Sequence, residues 1–105
     1  MNLRQGNTYL LKIALIDEDS NQIDISAVDM VELMLGEKRI VYPTDSVISY
    51  DASDKCFVVE LTQEDTFGMN HYVESQARVK FVGGTVKGSE IISYHIARAI
   101  SGEVL

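Results

Sequence analysis

One cysteine, one proline and no tryptophan occur in 105 residues. A lone thiol, Cys56, rules out an internal disulfide. The fold must therefore hold by packing alone, as suits a reducing compartment. Basic residues are also scarce. Nine Lys and Arg stand against 16 Asp and Glu, for a net charge of −7 and a pI near 4.6. That balance opposes nucleic-acid binding, whose affinity rests on cations neutralising phosphates. No apolar core of a signal peptide appears in Met1–Gly6. No apolar run approaches the ~18–20 residues of a membrane span. These absences predict a chain made and kept in the cytoplasm, unless it leaves inside a larger particle, with no membrane partner.

What is present is a strand pattern. From Tyr72 to Phe81 the residues alternate, with Tyr72, Glu74, Gln76, Arg78 and Lys80 on one side and Val73, Ser75, Ala77, Val79 and Phe81 on the other. A period of two marks a strand with one wet and one dry face, which must pack on another sheet. Gly83-Gly84 reads as a hairpin tip, and a second extended stretch follows from Ile91 to Ile100. In that stretch Ile92, Ile96 and Ile100 also fit a helix, but its Ile and Tyr content favours strand. Thr8–Ile16 is apolar on both faces and reads as a central strand, in a hairpin with Gln22–Ile25 across the polar turn Asp17–Asn21. Val28–Leu35 fits strand or helix; its extended neighbours favour strand, with Arg39–Tyr42 pairing back. Pro43 marks a bend or an edge. Val47–Tyr50 and Cys56–Leu61 are further strands. Thr62-Gln63-Glu64-Asp65 carries a helix N-cap signal for one short turn.

These elements predict an all-β, immunoglobulin-like two-sheet β-sandwich of seven to eight short strands with one short helical turn. It occupies residues 1–105 as a single domain, with residues 1–6 as an N-terminal arm and 102–105 as a C-terminal tail. The Cys–Trp–Cys core of true immunoglobulin domains is absent. Charge is uneven: Val41–Ala77 holds seven acids and one base, Lys55, whereas Arg78–Leu105 leans basic. A solvated acidic surface explains most of this. Opposite ends of opposite sign would also orient copies head to tail.

Tests for chemistry return little. Asp17-x-Asp19-x-Asn21 opens like a calcium loop, but Gln22 and Val28 stand where that loop needs Gly and Glu. A plain turn is the better reading. Cys56, His71 and His95 lack the local pairing of zinc ligands. Cys56 reads as a buried structural thiol rather than a nucleophile, and Gly83-Gly84 lacks the context of a phosphate loop. No catalytic, cofactor-binding or metal residue is assigned, and no small-molecule substrate is expected. Tyr9, Tyr50, Tyr72 and Tyr94 are candidate partner-binding anchors, since tyrosine is enriched at interface hot spots. The plainer alternative is that most of them are core or sheet-face residues.

Several stretches carry a resemblance: the strand after Asn7-Thr8, the acidic turn, Gln22-Ile23-Asp24-Ile25-Ser26-Ala27, Val59–Thr66, and Tyr72-x-x-x-Gln76-x-Arg78 before a glycine hairpin. Together, from about Gly6 to Ile100, they resemble the N-terminal domain of tailed-phage baseplate upper proteins and similar immunoglobulin-like phage structural domains. Two departures stand out: Asn70-His71 replaces the glycine expected before the tyrosine, and no fibre region follows Leu105. The resemblance implies a non-enzymatic tail, baseplate or accessory virion component that docks to itself or to other virion proteins and resides in the virion. A carbohydrate- or peptide-binding sandwich of a host-recognition protein is the alternative.

Overall fold

A computed structural model of the chain describes residues 2–89 and 91–105. Met1, part of the expected arm, and Glu90, inside the expected last segment, lie outside the described residues. Among the described residues there are nine strands: β1 (Asn2–Arg4), β2 (Tyr9–Ile13), β3 (Val28–Leu35), β4 (Lys38–Tyr42), β5 (Ile48–Asp51), β6 (Cys56–Leu61), β7 (Tyr72–Phe81), β8 (Val86–Gly88) and β9 (Ile92–Ala97). Helix α1 (Gln63–Phe67) separates β6 from β7, and a 3₁₀ turn, Ile25–Ala27, precedes β3.

The alternation of β7 sets the larger sheet. Val73, Ser75, Ala77 and Val79 are buried, whereas Tyr72, Glu74, Arg78 and Lys80 face out. Against them β3 buries Val31, Leu33 and Leu35, in the antiparallel register Val31↔Val79, Leu33↔Ala77 and Leu35↔Ser75. The larger sheet runs β1-β9-β7-β3-β4, with β8 also paired to β7, and the smaller runs β2-β6-β5. Taken in order, β9, β7, β3 and β4 occupy the places of strands G, F, C and C′ of an immunoglobulin domain. They face β2, β6 and β5 in the places of B, E and D. The first strand pairs in parallel with the last, Leu3 opposite Ile96.

One apolar core lies between the sheets and includes Leu3, Leu11, Leu33, Phe57, Val59 and Ile96. Phe57 is its aromatic centre, met edge-on by Tyr42 at 5.0 Å and Tyr50 at 5.2 Å. Each such pair adds about 0.5–1.5 kcal/mol beyond area burial. Cys56 is buried and free, so no disulfide crosses this core. Helix α1 starts as expected: Thr62 Oγ1 accepts from the Asp65 N–H, and the Asp65 carboxylate accepts from the Thr62 N–H. Lys38 Nζ reaches Asp65 at 2.9 Å and ties this turn to β4.

Three expectations differ from the structure. The hairpin of Thr8–Ile16 with Gln22–Ile25 does not form; β2 pairs with β6, and only the bridge Ile16↔Gln22 joins the two segments. Pairing with β6 buries Leu11 and Ile13 against the core, which a polar-flanked local hairpin cannot do. Nor is β2 central. It is an edge strand, and with no layer over the outer side of the smaller sheet among the described residues, Leu10 is left 66% exposed. Within the arm, Asn2–Arg4 forms β1 with Leu3 buried. Finally, the stretch 91–100 contributes strand only over Ile92–Ala97, and with the short β8 the described strands number nine.

Candidate interaction surface

The four tyrosines fall into different environments. Tyr94 is 9% exposed and belongs to the core. Tyr50 packs on Phe57. Tyr9 is half-buried, and its hydroxyl accepts from the Arg4 N–H at 2.7 Å, fastening β2 to the arm. Only Tyr72 stands free, 68% exposed, with the His95 ring edge-on at 5.3 Å. The fold therefore does not gather the tyrosines into one anchor cluster. Alternation assigns Tyr72 and Tyr94 to opposite faces only once the register Tyr72↔His95 and Val73↔Tyr94 is known.

The outward face of the larger sheet carries a feature that single-residue inspection missed. Glu32, Arg78 and Arg39 come from three adjacent strands and meet at one point. Arg39 Nε donates to Glu32 Oε2 at 2.7 Å, and Arg78 Nη2 reaches Oε1 at 2.8 Å. Hydrogen bonds from Arg39 and then Arg78 hold the Glu32 carboxyl below the usual carboxylate range, against a smaller opposing effect of burial. Lys80 lies 4.0 Å from Asp29 at the end of the same row. Between these charges a dent of about 140 Å³ is walled by Met30 and Val86.

The outward face of the smaller sheet is different. Where β2, β6 and α1 meet, a shallow groove of about 740 Å³ is lined by Leu10, Leu61 and Val104, with Glu60 and Glu64 and no base. The tail crosses beside it. Gln63 donates from Nε2 to the Leu105 carbonyl at 3.2 Å and accepts the Leu105 N–H at 2.9 Å.

Sheet edges complete the surface. Among the described residues no strand pairs the outer edge of β2, and β1 covers β9 only along His95–Ala97. Ile92, opposite Ser75 and so in phase with the core, is nevertheless 55% exposed. Nearby, a groove of about 830 Å³ runs between Leu15–Asp24 and β7–β8 over Ala77, Val79 and Phe81. Glu18 and Lys87 pair across it at 3.2 Å.

Among the described residues no three His, Cys, Asp or Glu side chains converge. Cys56 is buried on β6, His71 sits in the turn before β7, and His95 faces out from β9. Asp17 spends its carboxylate on the N–H groups of Asp19 and Asn21 in its own turn. No helix among the described residues is long and apolar enough to cross a membrane. No family model matches this chain, and neither a curated protein nor a solved structure matches it.

Proposed function

We propose that this chain is a non-enzymatic structural module of a phage or prophage particle, a tail, baseplate or accessory virion component that works by docking to other virion proteins or to copies of itself. The observation that carries the reading is the open rim of an immunoglobulin-like sandwich. β2 has an unpaired outer edge, and Leu10, Val86, Ile91 and Ile92 are exposed beside the sheet edges. Unpaired strand edges offer amides and carbonyls that another polypeptide completes. The resemblance of the sequence to baseplate upper proteins supplies the particle. The acid-rich charge disfavours nucleic acid as the partner.

The test is location. Particles are induced, banded on a density gradient and analysed by mass spectrometry, and the genes flanking this one are read. The expected result is co-purification with particles or their assembly intermediates, and neighbours encoding capsid, portal or tail proteins. Absence from all such fractions together with a metabolic gene neighbourhood overturns the proposal. A second reading, recognition of a carbohydrate or peptide, is favoured by the exposed Tyr72–His95 pair beside Glu74. It predicts a glycan- or peptide-array signal that Tyr72→Ala abolishes.

A further inference from the structure

We infer that the two outward faces of this sandwich bind each other, so that one copy stacks through its larger sheet onto the smaller sheet of the next copy. This inference rests on the assembly reading above and names the partner: a second copy of this chain. Arg4, Arg39, Arg78 and Lys80 all face outward from the larger sheet, against Asp29, Glu32 and Glu74. Four of nine bases thus share one face with three of sixteen acids, which leaves five bases and thirteen acids for the rest of the chain. In a molecule of net charge −7, this face carries one net positive charge.

Each face also has an apolar centre. On the larger sheet, Met30 and Val86 lie between Arg39, Arg78 and Lys80, with Glu32 held by the two arginines. On the smaller sheet, Leu10 and Val104 lie beside Glu60 and Glu64, and Lys12, in phase with Leu10, is paired with Asp54 at 2.9 Å. An apolar patch rimmed by cations fits an apolar patch rimmed by carboxylates: charge sets the orientation and apolar contact holds it. Pairing two larger sheets face to face would set cations against cations, and pairing two smaller sheets would set acids against acids. Only the unlike pairing satisfies both. The body measures 47 × 23 × 22 Å, so its broad faces can supply the ~800 Å² per partner of a standard interface. Because the two faces lie on opposite layers, the contact is heterologous, and repetition gives a ring or a filament.

Sedimentation velocity with two charge-altered variants tests this. R78Q/K80E disables the larger-sheet face, and E60K/E64K disables the smaller-sheet face. The wild-type chain is expected to form concentration-dependent species at about 50 mM salt that disperse at about 0.5 M, where screening shortens the Debye length to roughly 4 Å. Each variant alone is expected to be monomeric. An equimolar mixture is expected to give a capped one-to-one pair, since each variant retains one competent face. K80E alone, which leaves the Glu32 cluster intact, is expected to weaken stacking in the same direction. Circular dichroism and melting temperature verify that each variant is folded.

A wild-type chain that stays monomeric at roughly 100 µM in low salt overturns the inference. So does wild-type-like association by either double variant. A monomer that still co-purifies with particles overturns stacking and leaves the assembly role standing. Absence from particles and their assembly intermediates, with a metabolic gene neighbourhood, overturns the assembly role, whatever the sedimentation result.

Discussion

Thr66 shows how much one hydroxyl can organise. Its side chain is fully buried, at 0% exposure. Oγ1 accepts the Gly6 N–H at 2.9 Å and lies 2.9 Å from the Asn7 carbonyl and 3.1 Å from that of Gln63. It therefore joins the segment after β1 to α1. Thr66→Val keeps the shape but strands the Gly6 donor and the Asn7 acceptor. We expect a loss of about 1–3 kcal/mol in urea unfolding, as for other unsatisfied buried groups. Neighbouring Asp65 carries a pH dependence. Burial pushes its carboxyl up, but hydrogen bonds from Lys38 and Thr62 outweigh this and hold it below the usual carboxylate range. The unfolded chain therefore binds this proton more readily than the native one, so stability rises with pH through the acid range. The contribution is present above the ordinary Asp value of about 3.9 and is lost as pH falls through the lower native value. Melting temperature against pH should drop on this limb, and Asp65→Asn should flatten the drop.

At the scale of elements, local chemistry explains β3–β4 well and the end strands less well. The two-residue turn Gly36-Glu37 joins them, with Gly36 at a φ of +62°. A hairpin turn with positive φ at its first position calls for glycine. A Cβ at Gly36 would also sit 3.3 Å from Val73 Cγ1. Gly36→Ala should cost about 1–2 kcal/mol, since left-handed backbone is strained for an L residue, and chemical denaturation measures it. The long strand β7 and the capping box at Thr62 were legible in the sequence, because alternation and side-chain capping act over a few residues. The hairpin assigned to Thr8–Ile16 and Gln22–Ile25 was not, because β2 finds its true partner in β6, some 50 positions away. No local signal reports a pairing at that separation.

For the whole molecule, closure depends on β1. Leu3 fills the core opposite Ile96, and Gln5 N–H continues the ladder to the Ala97 carbonyl at 2.9 Å. Leu3→Ala should cost about 2–4 kcal/mol through cavity formation. It should also raise hydrogen exchange along β9 before the rest of the larger sheet, which exchange mass spectrometry can resolve. A circular dichroism spectrum dominated by helical minima would contradict the entire two-layer arrangement.

By itself, the sequence determined the fold class, most strand positions, the helical turn and the lack of an internal disulfide. Those properties follow from side-chain periodicity, capping chemistry and composition, which act over short stretches of chain. Only the tertiary structure decided which strands neighbour one another, that the first strand runs parallel to the last, that Tyr94 is core while Tyr72 is free, and that Glu32, Arg39 and Arg78 meet on one outward face. Those facts depend on register between distant segments, and shifting a strand by one residue would send every side chain to the other face.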